Sequence, residues 1–253
     1  LWNNPVRTIK EYLDQQNYAK AVEFYNSDVY GHEEREEQID DTLKEQIMIF
    51  RTDYEKEELL PDEAIEYLNI FSGIQKEELS GLSQSEMECI SQHEEYKQFF
   101  SEGEDLQVVG DYLGAMKLYA SIPAEDSLFT DAHERYIECR DALLLVVEYP
   151  ETGEDYQNYM STVLGYLEQF PDESAFRERY SQLNDECQEL AARAKRDEIL
   201  NLADAAFQSG DYKTAFDTLK EGLNQQPESS ELSDRLNVYR SEYIKVITDK
   251  VNG

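Results

Sequence analysis

The residues best suited to nucleophilic, acid–base or metal chemistry in this chain are three histidines (His32, His93, His133), three cysteines (Cys89, Cys139, Cys187) and 56 carboxylates. Zinc and di-iron helices space their ligands as His-Glu-x-x-His or Glu-x-x-His, which puts two donors on one helix face. The residues three before each histidine here are Val29, Ile90 and Thr130, so neither spacing occurs. Cys89 and His93 lie four apart and could share a helix face, but a zinc site needs two further ligands that the sequence does not supply. There is no Gly-x-Ser-x-Gly elbow, and no histidine stands near a serine or cysteine in a known catalytic arrangement. Glycine patterns that let backbone amides cradle a phosphate, Gly-x-Gly-x-x-Gly and Gly-x-x-x-x-Gly-Lys-Ser/Thr, are absent as well. The runs Glu33, Glu34, Glu36, Glu37 and Glu102, Glu104, Asp105 lack the alternating ligands around a central glycine that bind calcium tightly, and read as solvated helix faces. With so many acids, a pair placed for glycoside hydrolysis carries no weight. The expectation is a chain that is not an enzyme, with no cofactor and no metal.

Lys plus Arg number 23 against 56 Asp plus Glu, a net charge of −33 that repels nucleic-acid phosphates and anionic lipid head groups. Nucleic acid is therefore excluded as a partner, while a basic peptide would be attracted; the plainer role of the charge is to solvate helix faces. Three cysteines about fifty residues apart are no disulfide framework and are expected to be buried apolar residues. The longest apolar run, residues 142–147, is far shorter than the roughly 20 residues that span a bilayer, so no membrane insertion by this segment is expected. The first residue is Leu1 rather than Met, which leaves room for a signal peptide or anchor upstream; the compartment stays open between extracytoplasmic and cytoplasmic.

The elements that would position any site are helices. Only six prolines and eleven glycines interrupt a sequence rich in good helix formers. Ile39, Leu43, Ile47, Phe50 and Tyr54 form one stripe at spacings of three and four. Pro61-Asp62-Glu63 reads as a helix start, with Ala64, Ile65, Leu68 and Phe71 as its apolar face. Phe176, Tyr180, Leu183, Cys187, Leu190 and Ala194 follow heptad spacing, within a stretch that permits either one helix of about 36 residues or a break near 189–195. Ser229 to Val251, with Leu232, Leu236, Tyr239, Tyr243 and Val246 on one stripe, reads as a terminal capping helix.

Self-similarity is more informative. Gln16-Asn-Tyr-Ala-Lys-Ala21, Gly110-Asp-Tyr-Leu-Gly-Ala115 and Gly210-Asp-Tyr-Lys-Thr-Ala215 share one frame. Its first two residues suit a tight turn between helices, the tyrosine covers the turn, and the alanine lets the second helix approach the first. On these residues the chain resembles the tetratricopeptide repeat family. Around the third copy the resemblance places Leu202 and Ala203 at the family's large–small pair and Ala215, Leu219, Gly222 and Pro227 on its second helix; Ile199 and Ala206 depart from the usual tryptophan and aromatic residue. The second copy keeps Gly110, Asp111, Tyr112, Ala115 and Tyr119, with an early Pro123 that shortens its second helix; the first keeps Tyr18, Ala21 and Tyr25. The separations of 94 and 100 residues are each close to three such units.

The resemblance implies an all-α fold of antiparallel helical hairpins, in a right-handed superhelix or α–α array. The expected division is residues 1–100, with one degenerate hairpin and an irregular helical part, and residues 101–253, with hairpins and a capping helix; one continuous array is the alternative. It also implies a non-catalytic scaffold that holds a protein or peptide, the candidate surface being Asn201, Asp204 and Gln208 on the first helix of the best repeat. Asp204 would repel the C-terminal carboxylate that one branch of the family clamps. A second reading is a structural spacer, the extracytoplasmic stalk of a membrane-anchored bacterial protein; an enzyme is a distant third.

Overall fold

The computed structural model describes residues 4–252, and several of its helices begin at a side-chain cap. Asn4 caps α1 (Pro5–Asp14) by accepting the Val6 N–H, and α2 (Tyr18–Phe24) runs directly into a π-turn (Tyr25–Val29). Then come α3 (Glu33–Glu55), α4 (Pro61–Phe71), α5 (Glu77–Val108), α6 (Tyr112–Ala120) and α7 (Phe129–Val146). The chain closes with α8 (Gly153–Gln169), α9 (Ser174–Gln208), α10 (Tyr212–Gln225) and α11 (Ser230–Asn252). No strand occurs among the described residues. None of their helices is long and apolar enough to cross a membrane.

The helices gather into two compact units, Leu1–Asp141 and Ala142–Gly253. A boundary at residue 100 would fall inside α5, which runs on because no proline interrupts it and its only glycines, Gly81 and Gly103, are accommodated in the helix. The core of the first unit is the predicted α3 stripe, Ile39, Leu43, Ile47, Phe50 and Tyr54, packed with Ile9, Tyr18, Leu68, Phe71, Leu79 and Ile90. Tyr18 lies edge-on to Phe50 at 5.0 Å and against Tyr67 at 4.8 Å, geometry that adds to simple area burial. A polar knot ties the π-turn to this core. The Tyr25 hydroxyl donates to Asp40 at 2.6 Å, Lys76 Nζ donates to Asp40 and Glu36, and Glu36 accepts the Gly31 N–H at 2.6 Å. Burial and the Asp40 bond push the Tyr25 hydroxyl far above its ordinary range, and the Lys76 and Gly31 bonds hold Glu36 below the carboxylate range.

In each unit one long helix serves two main partners, besides a lesser packing of α5 on α3 and of α9 on α11. The 32 residues of α5 pack on α4 and α6, and the 35 residues of α9 pack on α8 and α10. No break appears at 189–195; α9 is continuous, and only its burial lapses. Phe176 and Leu183 are buried, Ala194 is exposed, and burial resumes at Ile199. Seventeen residues of α8 reach only about half the length of α9, so the segment between the two partners faces solvent.

Candidate partner-binding surface

The second unit contains the sequence-predicted surface, and its frame is set by the turn at residues 209–211. Gly210 has φ +85°, a left-handed conformation that costs a side-chain-bearing residue energy. Its N–H bonds the Phe207 carbonyl, and the Asp211 N–H reaches back to the Ala206 carbonyl. These are the two bonds of a Schellman termination. Asp211 then caps α10 by accepting the Thr214 N–H at 3.1 Å, which with the Thr214 side chain holds its carboxyl below the ordinary range.

The other two copies of the motif make the same turn. Gly110 has φ +84° and Gln16 +54°; Gly110 and Asp111 bond the carbonyls of Gln107 and Leu106, as Gln16 and Asn17 bond those of Leu13 and Tyr12. Asp111 caps α6 through the Gly114 N–H at 2.9 Å, whereas Asn17 forms no side-chain cap. Ala21, Ala115 and Ala215 are all fully buried, and Tyr18, Tyr112 and Tyr212 are buried or half-buried over the turn. The early Pro123 goes with an α6 of nine residues.

Tight helix contact follows from the small residues. A Cβ on Gly222 would come within 2.8 Å of Ile199 Cγ2 and 3.2 Å of Leu232 Cδ1. Ala203 is fully buried, but Leu202, expected as its large partner, is 58% exposed, because α8 covers only the first half of α9. The aromatic absent at Ala206 is supplied one residue later: the Phe207 ring stacks on Tyr239 at 3.9 Å and an interplanar angle of 12°.

Of the three candidate residues, Asn201 and Gln208 are exposed on α9. Asp204 is half-buried and engaged, accepting from the Arg235 guanidinium and the Tyr239 hydroxyl of α11. Burial and the Asp204 bond push the Tyr239 hydroxyl up to about 12. Asp204 thus locks α9 to α11 rather than offering a free charge. An equivalent contact stands one hundred residues earlier, where Arg135 meets Glu104 at 3.6 Å, both well exposed. The pairing at 104/135 and 204/235 extends the repeat beyond the turn, a signal visible in the sequence as conserved charge signs at a fixed offset.

In the first unit a polar cleft of about 480 Å³ is lined by Arg51, Tyr54, His93, Lys97, Glu125 and Asp126, among others. Sequence reasoning missed it because its walls come from three separate segments, residues 51–57, 93–97 and 125–127. His93 Nδ1 lies 2.8 Å from Asp126 Oδ2, both side chains largely buried, so His93 is held in the wall of the cleft. Tyr54 donates to Glu94 at 2.7 Å, and burial with this bond raises its hydroxyl well above the ordinary range. For Glu94, burial is outweighed by the Lys97 and Tyr54 bonds, which together hold it low. Arg51 pairs with Glu55 at 2.7 Å and Lys97 with Glu94 at 2.8 Å, so these cations have carboxylate partners. Cys89 is exposed, contrary to expectation, because α5 turns its neighbour Ile90 fully inward; Cys139 is buried, its thiol pushed up to about 11 by desolvation, and Cys187 is half-buried. Among the described residues no three His, Cys, Asp or Glu side chains gather closely enough to hold a metal ion.

Compared with protein-family models, with curated proteins and with solved structures, the chain matches none.

Proposed function

We infer that the chain is a non-catalytic, partner-binding module of tetratricopeptide-like type, its contact surface the exposed face of α9 around Asn201 and Gln208. The recurrence of one turn three times, with the same pair of backbone bonds and the same buried alanine, carries this reading. Such hairpins characteristically stack and present their first helices to a partner. The partner is a basic protein segment. The first unit holds 34 acids against 12 bases and the second 22 against 11, so both attract a cationic ligand and accelerate its association.

The test is a pull-down from envelope and cytosolic fractions with the purified chain as bait, at low and at physiological salt. Asn201→Ala/Gln208→Ala should lose a saturable partner without loss of helicity. Asp204 is unsuitable as a surface probe, since its removal strips Arg235 and Tyr239 of their acceptor. Capture that is unchanged by the double variant would sink the assignment of this face. The spacer reading draws on α5 and α9, about 48 and 52 Å long at 1.5 Å per residue. A chain that captures nothing from either fraction would leave the spacer as the better reading.

A further inference from the structure

The two turns one hundred residues apart differ in what covers them. At the second, Tyr212 meets the ring of Phe207 at 5.0 Å and that of Tyr243 at 4.9 Å, and Phe207 carries Tyr239. The Tyr239 hydroxyl donates to Asp204, which also receives the Arg235 guanidinium. Carboxylate, guanidinium and turn tyrosine together thus hold phenol rings.

At the first turn the frame is kept and the cover is missing. Glu104, Tyr112 and Arg135 stand at the positions of Asp204, Tyr212 and Arg235, but Phe207, Tyr239 and Tyr243 are replaced by Gln107, Cys139 and Leu143. Among the described residues Tyr112 meets no ring and no hydroxyl donates to Glu104, whose ion pair with Arg135 is long at 3.6 Å. What remains is a groove of about 360 Å³ between α5, α6 and α7, lined by Glu104, Gln107, Val108, Tyr112 and Arg135. Val108 is 86% exposed at its rim. The neighbouring ring of Tyr119 is only 2% exposed and donates to Gln107 at 3.1 Å, so it belongs to the core below and leaves the groove open.

The second turn shows which chemistry this frame accepts: an aromatic ring with a hydroxyl that donates to the carboxylate. Tyrosine supplies both, with a large contact area at little loss of side-chain freedom. An anionic aromatic group would be repelled by Glu104 and by a unit with 34 acids against 12 bases, whereas basic flanking residues would be drawn in. A second copy offers the 75% exposed Tyr149, but it brings a further charge of −33 with it.

We propose that this groove takes a tyrosine side chain from the partner's basic segment, its ring against Val108 and Tyr112 and its hydroxyl donating to Glu104. This contact rests on the partner-binding reading above and lies in the first unit, apart from Asn201 and Gln208.

The probes are three acetylated, amidated peptides, Lys-Lys-Tyr-Lys-Lys and its Phe and Leu counterparts, titrated at low salt into the intact, isotope-labelled chain and followed by amide NMR shifts. The Tyr peptide should move the amides of residues 104–112 saturably and bind about fivefold more tightly than the Phe peptide, and about tenfold more tightly than the Leu peptide. In Glu104→Ala, at an exposed site, the ratio of Tyr to Phe affinity should fall to about one. Asn201→Ala/Gln208→Ala should leave that ratio unchanged. Three peptides that bind alike overturn the proposal and leave the attraction for a basic segment standing; if none binds at low salt, both fall. Selective binding that moves amides elsewhere, or a ratio that survives Glu104→Ala, also overturns it. So does sedimentation showing a dimer that Tyr149→Ser abolishes and Glu104→Ala weakens, which would assign the groove to a second copy.

Discussion

Two stretches of the molecule, residues 103–139 and 203–239, share Gly110/Gly210, Asp111/Asp211, Tyr112/Tyr212, Ala115/Ala215 and Arg135/Arg235 at one fixed offset, yet fill their interiors differently. In the first, Gly103 admits the fully packed ring of Tyr119, and a Cβ at Gly103 would lie 2.6 Å from that ring. In the second, the same positions are Ala203 and Leu219, both fully buried. A further pair of positions trades in the opposite direction, from Ile122 and Ala132 to Gly222 and Leu232. The difference teaches that the turn residues are held by backbone geometry, which few side chains satisfy, while the core asks only that the summed volume be right. It also separates the two ion pairs. Glu104–Arg135 is exposed and loose, whereas Asp204 receives two donors in a half-buried site and fastens α9 to α11.

The sharpest way to break this comparison is a double-mutant cycle. Tyr119→Leu should cost about 3 kcal/mol by opening a cavity, and Gly103→Ala about 2 kcal/mol by overpacking against the ring. The two together should cost at least ~1 kcal/mol less than their sum. Additivity in urea unfolding would mean that the two sites do not trade volume. Next in size, Asp204→Ala should destabilise the second unit by about 2 kcal/mol, leaving the Tyr239 and Arg235 donors short of a partner. Glu104→Ala should change the first by less than ~0.5 kcal/mol, as exposed pairs do. Equal effects would contradict the distinction drawn between the pairs.

At the turns, Gly110→Ala and Gly210→Ala should each cost about 1 kcal/mol, and Gln16→Gly should stabilise by a similar or smaller amount, because only the first copy places a side chain at positive φ. A thermal-melt series that ranks Gln16→Gly as destabilising would show the first turn to be different in kind.

The pH dependence is smaller again. Asp211 has its pKa lowered below the ordinary 3.8, so its contribution to the second unit is present above that value and is lost as pH falls through the folded-state value. Asp211→Asn should flatten the acid limb of the stability curve. On the alkaline side the two stretches should agree. Tyr119 and Tyr239 are both pushed up to about 12, mainly by burial, so the stability they contribute is intact below pH 10 and fades as pH rises through about 12. Tyrosinate absorbance that develops for either at pH 10 would show a site open to water.

Much of the fold was legible because helices declare themselves locally. The α3 stripe, the Pro61 start and the three turn motifs all rest on contacts within a few residues, and each appears where periodicity or turn chemistry placed it. The continuity of α9 was one of two readings, decided by the partners that meet its two halves. The candidate surface was legible only as positions on a helix. Asn201 and Gln208 are exposed as that placement allows, but the engagement of Asp204 depends on Arg235 and Tyr239, 31 and 35 residues away. The cleft beside His93 left no sequence signal, since Tyr54, His93 and Asp126 come together only when three segments pack.

By itself the sequence determined the helical class, the turns and their glycines, and the strongly acidic surface, because these follow from propensity, φ preference and counted charge. Tertiary structure alone decided which helix serves two main partners and which carboxylate is spent inside the hairpin. Those depend on where a helix ends relative to its neighbours, a distance in space that spacing along the chain does not encode.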